Sequence, residues 1–369
     1  MMTVLSSTSR PSEERLEPTR IELARQRRAL SKTGLARALG VTPRSVTTYE
    51  TDGAPHERLA DLVRVLGFPE SYFRDSREIR ALDQGSVFFR ARRRTSAYDR
   101  ASATAVATSG TALYAWVLER FRLPAIDLAV DGSDFDDPRQ AAKTLRNAWG
   151  LHDDAPVPNL VQLAEAHGVR VMGLPHGTDD VDAFSLWHEG APYVFLSLSK
   201  TAERSRFDLA HELGHLLLHS YESPLTGERT DRIEREADAF AAVFLMPQNA
   251  VRRALRTDPS AQDVIEAKAH FKVSAMALNR SARDAGVMSD WAYRQNCVAL
   301  TQLGYRTAEP SGMPRERSRV FRRVLDHLRS TGGSPRTILD DLAIPAEDLH
   351  ALTFGLALVS TPPPTLHVI

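Results

Sequence analysis

The stretch Phe207-Asp208-Leu209-Ala210-His211-Glu212-Leu213-Gly214-His215-Leu216-Leu217 decides how the centre of this 369-residue chain is read. Two histidines four apart project from one face of a helix, so both imidazoles reach a single metal ion. The apolar residues around them predict that this helix is buried. Glu212 follows the first histidine and points to the adjacent side of that face, where a carboxylate holds a water at the metal and takes its proton. Gly214 leaves room for the metal or for a neighbouring strand.

A two-histidine site needs a third protein ligand, expected as a carboxylate on another helix. The segment Glu234-Arg235-Glu236-Ala237-Asp238-Ala239-Phe240-Ala241-Ala242 carries the candidates. Glu234 and Asp238 share a face with Ala237 and Ala241, whose small side chains permit close helix approach. On that face Glu234 binds the metal and Asp238 accepts a hydrogen bond from a ligand histidine. Glu236 is the alternative ligand; it lies about 160° from Asp238 around the helix and needs a different rotation. His219, one turn beyond His215, reads as a supporting or structural residue. His188 and Tyr193, in a strand region, are polar groups able to polarise a carbonyl, yet nothing raises them above ordinary strand residues.

Composition narrows the field. With 42% hydrophobic and 25% charged residues the chain is long enough to bury a core in each of two or three domains. No apolar run approaches the roughly 18–20 residues of a membrane helix, and the first residues lack the apolar segment of a secretory signal. Cys297 is the single cysteine. It excludes an internal disulfide framework, fits a reducing cytoplasm, and excludes a thiolate zinc site, so a metal here must use histidine and carboxylate. The formal charge is zero, but residues 1–100 hold 19 Arg and Lys against 13 Asp and Glu. A basic N-terminal part on a neutral chain suggests a nucleic-acid-facing module joined to something else.

Periodicity divides the chain into five parts. Residues 1–16 read as a disordered tail, and 17–75 as a small helical module. Residues 76–130 read as a helical connector, with the basic stretch Phe88-Phe89-Arg90-Ala91-Arg92-Arg93-Arg94 and a long Ala-rich helix ending near Phe121. Residues 131–300 open on a linker (131–138) and hold the His-Glu motif, and 301–369 form a C-terminal helical segment with stretches at 316–330, 335–342 and 346–357. Strands are expected at 169–172, 183–187 and 193–197, the last two joined at Glu189-Gly190. Helices are expected at 138–149, 158–167, 201–219, 229–245, 259–271 and 274–285. The fold class is therefore mostly α with a small β-sheet (α+β).

In the N-terminal module, Ser31 caps a short helix from Lys32 to Leu39 that Gly40 closes. Thr42-Pro43 then opens another helix running to Glu50. Two short helices joined by Leu39-Gly40-Val41-Thr42 make a helix-turn-helix. Arg44, Ser45, Thr47 and Thr48 are placed to reach base edges or phosphates, Lys32 and Thr33 lie beside the backbone, and Val46 and Tyr49 pack inward. Glu50 reads as structural.

The pattern Leu35-Ala36…Leu39-Gly40-Val41-Thr42…Val46…Tyr49-Glu50 resembles the Cro/repressor-like (XRE-type) helix-turn-helix family over residues 20–66. That family often has Gln where this chain has Lys32-Thr33. The motif around His211, followed by Glu234…Ala237-Asp238-Ala239-Phe240-Ala241-Ala242…Leu245-Met246-Pro247, resembles the ImmA/IrrE metallopeptidase family over roughly residues 140–290, with Asp238 where Asn is common. The resemblance implies a gluzincin-like endopeptidase holding zinc, with manganese as the alternative, on His211, His215 and Glu234, with Glu212 as general base. It also implies double-stranded DNA and a repressor-type protein substrate as partners, with a homodimer expected of Cro-like modules. Two other readings stand beside it: a transcription factor whose metal domain only senses, and self-cleavage of the connector near Arg90–Arg94.

Overall fold

The computed structural model describes residues 15–75, 77, 79, 82, 87–89, 96–128, 135, 137–152, 155–175, 181–219 and 228–357. Residues 1–14, the basic stretch 90–94 and most of the 131–138 linker therefore lie outside the described residues.

The N-terminal module begins with a short strand, β1 (Arg15–Leu16), and three helices, α1 (Pro18–Arg27), α2 (Lys32–Leu39) and α3 (Pro43–Asp52). It continues through β2 (Ala54–Pro55), α4 (Leu59–Leu66) and α5 (Glu70–Arg74). β1 pairs antiparallel with β2 and Leu16 is buried, so the expected tail boundary at 16 moves back: Arg15 and Leu16 belong to the module. Ser31 caps α2 by accepting from the Gly34 amide at 2.9 Å. Gly40 ends the helix in the left-handed region (φ 65°), where a Cβ is strained. Thr42 caps α3 by accepting from the Ser45 amide at 3.1 Å. Ile21, Ala24, Leu35, Val46, Leu62 and Phe73 form the module's core. Glu50 is buried with them, ion-paired to Arg25 and, at 3.1 Å, to Lys32.

Next come β3 (Val87–Phe89), α6 (Ala97–Leu118), α7 (Pro138–Ala148) and α8 (Leu160–Ala166), then β4 (Arg170–Leu174), β5 (Ala183–His188) and β6 (Ala191–Ser197). The remaining elements are α9 (Ala202–Leu218), α10 (Glu228–Leu245), α11 (Gln248–Ala254), α12 (Ala261–Phe271), α13 (Ala275–Asp284), α14 (Asp290–Gln302), α15 (Arg319–Ser330), α16 (Pro335–Leu342) and α17 (Ala346–Leu352). The fold is thus α+β, mostly helical with small sheets. β3, α11 and α14 were not anticipated from periodicity. No described helix is long and apolar enough to cross a membrane.

The larger sheet has strand order β3-β5-β6-β4, with β4 parallel to β6 and β5 antiparallel to both of its neighbours. Because successive side chains alternate between faces, one set (Val171, Ala183, Val194, Leu196) packs into a core shared with α7, α9 and α10. The other set (Met172, Leu174, Phe184, Leu186, Tyr193, Phe195) packs against α6 and α15 to α17. The connector helix and the C-terminal segment, read from sequence as separate parts, are therefore together the second layer over the sheet.

The C-terminal layer also holds the N-terminal module. Arg27 of α1 donates through Nε (3.0 Å) and Nη2 (2.6 Å) to the two carboxylate oxygens of Asp348 in α17, and both side chains are buried. Ser102 of α6 donates to the Arg27 carbonyl at 2.9 Å. Removing one partner of such a pair strands the other charge, at about 3–5 kcal/mol, whereas an apolar replacement of both is tolerated. Arg27→Ala is expected to lower unfolding free energy by about that amount in urea titrations, and Arg27→Met with Asp348→Leu by much less. Equal losses in the two variants would mean the ion pair is not what holds this junction.

Candidate metal centre

α9 starts at Thr201, whose hydroxyl accepts from the Arg204 amide at 3.3 Å. It then runs buried between the sheet and α10. Gly214 lies on the α10 side: a Cβ there would sit 3.2 Å from the Phe240 ring and 3.3 Å from the Ala237 Cα. The glycine therefore makes room for a helix rather than for the metal or a strand, and Ala237 and Ala241 are fully buried opposite it.

This close approach brings Glu234 to the two histidines. His211 Nε2 and His215 Nε2 are 2.9 Å apart. The Glu234 carboxylate lies 3.5 Å from the first and 3.4 Å from the second, and the three donor atoms all fall within 4.8 Å of one another. Zinc bonds of about 2.0–2.1 Å at tetrahedral angles put ligand atoms about 3.3 Å apart. The His–Glu spacings match that value and the His–His spacing is a few tenths shorter, so the donor set fits a divalent ion with one open position. Among the described residues this is the only such cluster of His, Cys, Asp and Glu.

Each imidazole is held from its far nitrogen. His211 Nδ1 is 2.9 Å from Asp238 Oδ1. His215 Nδ1 is 3.1 Å from His219 Nδ1, and His219 Nε2 is 3.1 Å from Glu236 Oε2. Arg232 donates to the other Glu236 oxygen at 2.9 Å. A carboxylate only accepts, so His219 donates from Nε2 and accepts at Nδ1. His215 must then donate from Nδ1, which leaves its Nε2 lone pair facing Glu234 and His211. Glu236, the alternative third ligand from sequence, thus sits at the end of this chain and not in the donor cluster.

The charges follow from burial and contacts. Burial pushes the His215 imidazole down to about 4, so it is neutral at neutral pH. Burial works to raise the Glu234 carboxyl, but the adjoining His211 and His215 imidazoles outweigh it and hold the group well below the usual carboxylate range. Glu212 is fully buried beside the histidines and accepts from the Ser185 hydroxyl at 2.6 Å. Sequence reasoning missed Ser185. Its signal was a serine on the helix-facing side of an otherwise apolar strand, where a buried hydroxyl needs a partner. His188 and Tyr193 are not brought to the site; they pack against each other, 6.1 Å between rings, on the opposite face of the sheet.

In the N-terminal module Lys32, Thr33, Arg44 and Thr47 are exposed, and Ser45 and Thr48 half-buried, while Val46 and Tyr49 are buried. The Thr47 and Thr48 hydroxyls donate to the carbonyls of Pro43 and Arg44, both at 3.2 Å. Lys32 is shared with Glu50.

A buried helix with two histidines, set against a carboxylate-bearing helix and beside a mixed sheet, defines a metallopeptidase-type domain. Residues 164–283 match the family model Peptidase_M78, the IrrE N-terminal-like domain. That match runs from α8 into α13 and contains the whole His211–His215–Glu234 group; residues 17–75 lie outside it. No curated protein matches the chain.

His211→Ala and Glu234→Ala are expected to lose bound metal in elemental analysis of the purified chain. Asp238→Ala and Glu236→Ala should keep it with an affinity about 10–100-fold weaker, as for groups that orient a ligand. Loss of metal in Glu236→Ala with retention in Glu234→Ala would reverse the assignment.

Proposed function

We propose that this chain is a zinc-dependent endopeptidase that also binds double-stranded DNA, and that its protein substrate is a repressor-type regulator. The observation that carries the peptidase reading is the convergence of His211, His215 and Glu234 beside a buried Glu212 that Ser185 holds. His211, His215 and Glu234 are the residues that would hold zinc, with manganese as the alternative. Bound there, the ion supplies Lewis-acid polarisation of a peptide carbonyl and lowers the pKa of a water. Glu212 takes the proton from the attacking water and gives it to the leaving amine. The Ser185 hydroxyl fixes the carboxylate that does so. Asp238 and His219 keep the two imidazoles turned toward Glu234.

Glu212→Gln is expected to retain metal and lose hydrolysis by about 10²–10⁴-fold, the usual contribution of a general base. In cells, the intact repressor should persist with Glu212→Gln and fall with the wild type under inducing conditions. No cleavage product in either strain would sink the repressor assignment. Complete burial of His211 and Glu212 favours one second reading, in which the metal domain only senses. Regulation would then survive Glu212→Gln.

The DNA-binding half rests on the capped α2–α3 pair and on the exposed face carrying Lys32, Thr33, Arg44, Ser45, Thr47 and Thr48. α3 is the helix assigned to the major groove. Selection from a random duplex library should enrich a two-fold symmetric site, as a homodimer requires. Arg44→Ala should weaken binding to it by about 1–3 kcal/mol. A library that yields no enriched sequence would remove DNA from the proposal.

A further inference from the structure

Two adjoining cavities lie between the end of α6, α8, β4 and the start of α15. The smaller, about 200 Å³, is walled by Tyr114, Leu118, Ile126, Val169 and Arg170. The larger, about 520 Å³, is walled by Phe121, Arg122, Arg319, Arg323 and Val324. Leu123, Pro124, Glu165 and Val320 line both, so the two are parts of one groove. Its volume falls in the range of small-molecule sites, roughly 300–1,000 Å³.

One wall is held in place by backbone contacts. Gly168 has φ 81°, and a Cβ there would sit 2.5 Å from the Ile126 Cα and 2.7 Å from the Ala125 carbonyl oxygen. The Asp127 amide donates to the His167 carbonyl at 3.0 Å, and Trp149 Nε1 donates to the Asp127 carbonyl at 2.9 Å. On this pinned segment Ile126 is 44% exposed, and Leu118 facing the same cavity is 41% exposed. They are two of the six large apolar side chains left open on the described surface. Apolar surface kept open beside polar groups marks a contact site.

The charge around the groove is one-sided. Arg122, Arg170, Arg319 and Arg323 have no ion pair among the described residues. Arginines just outside it do: Arg120 pairs with Asp341 at 3.3 Å and Arg329 with Asp326 at 2.8 Å. Glu165, the one acid in the walls, is occupied in capping α15. It accepts from the Ser318 hydroxyl and from the amides of Arg319 (2.8 Å) and Val320 (3.2 Å), and attracts the Arg319 charge only through space.

Arg170 is the cation whose position is fixed. It donates through Nη1 to the Tyr193 hydroxyl and lies 4.9 Å over the Tyr193 ring and 5.8 Å over the Tyr114 ring. The rest of its five-donor fork meets no acceptor among the described residues. The fully buried Tyr114 hydroxyl, near the Val171 amide, makes no hydrogen bond of normal geometry either. Buried polar groups are rarely left so. No His, Cys, Ser or Thr lines the groove, so it offers no nucleophile and binds rather than reacts.

We propose that this groove binds a small amphiphilic organic acid. The apolar body lies along Leu118, Leu123, Ile126 and Val320, and the carboxylate meets Arg170. A planar carboxylate matches the parallel N–H pair of a guanidinium, and the other three arginines raise the local concentration of anions. The smaller cavity admits a carboxylate on a short apolar chain, not a polypeptide strand. The assignment rests on neither the peptidase nor the DNA reading.

The test uses the full chain with octanoate and a fluorescent amphiphile, anilinonaphthalene sulfonate. Calorimetry should show octanoate at one site per chain, and octanoate should displace the fluorophore. Octanol, which lacks the charge, and acetate, which lacks the body, should bind at least about tenfold more weakly, as loss of a charge-assisted hydrogen bond or of apolar burial requires. Arg170→Gln and, separately, Ile126→Asp should each weaken octanoate by a similar factor, with Arg329→Gln unchanged. Ile126→Asp alters an exposed side chain and keeps the test decisive should Arg170→Gln fail to fold. No saturable octanoate site, octanol binding as tightly as octanoate, or binding that survives both variants would overturn the proposal. So would a polyglutamate peptide that binds where octanoate does not, which would give the groove to an acidic protein partner.

Discussion

The distance between α9 and α10 at Gly214 sets the rest of the site. Phe240 and the Ala237 backbone lie where a Cβ on residue 214 would touch them at 3.2–3.3 Å, closer than ordinary contact. Glu234 is on α10, one turn before Asp238, so it travels with that helix. Metal sites hold their bond lengths to within about 0.2 Å, and a helix displaced by one methyl group would carry the carboxylate out of that range. The packing behind α10 resists such a shift. Phe240 stacks on Phe244 at 5.7 Å, Phe244 meets Trp149 edge-on, and Arg146 of α7 donates to the Phe244 carbonyl at 2.6 Å. The chemistry of the site is thus set by a close-packed core, in which small volume changes are felt.

The sheet is where the two halves of that core meet. Ser185 faces α9 while its neighbours Phe184 and Leu186 face α6 and the C-terminal helices. α17 packs on β4 and also receives Arg27 from the N-terminal module. A contiguous path of packed elements therefore joins the N-terminal helical module to the sheet behind the candidate metal centre, through a buried ion pair. Breaking that pair leaves a stranded charge, so the two ends of the chain are held together by electrostatics as well as by apolar burial.

Much of the centre was legible in the sequence because its signals are local. His211 and His215 lie one helical turn apart, Glu234 and Asp238 lie one turn apart, and a small-residue stripe marked where the helices touch. Caps at Ser31 and Thr42 fixed helix starts within a residue or two. What stayed hidden depends on partners distant in the chain. Val87 to Phe89 is too short to show alternation, and its pairing with β5 exists only once the fold has formed. The Arg27–Asp348 pair spans 321 residues and leaves no periodic trace. The far roles of Ser185 and Glu236 rest on single hydrogen bonds across elements, which spacing along one helix or strand does not encode.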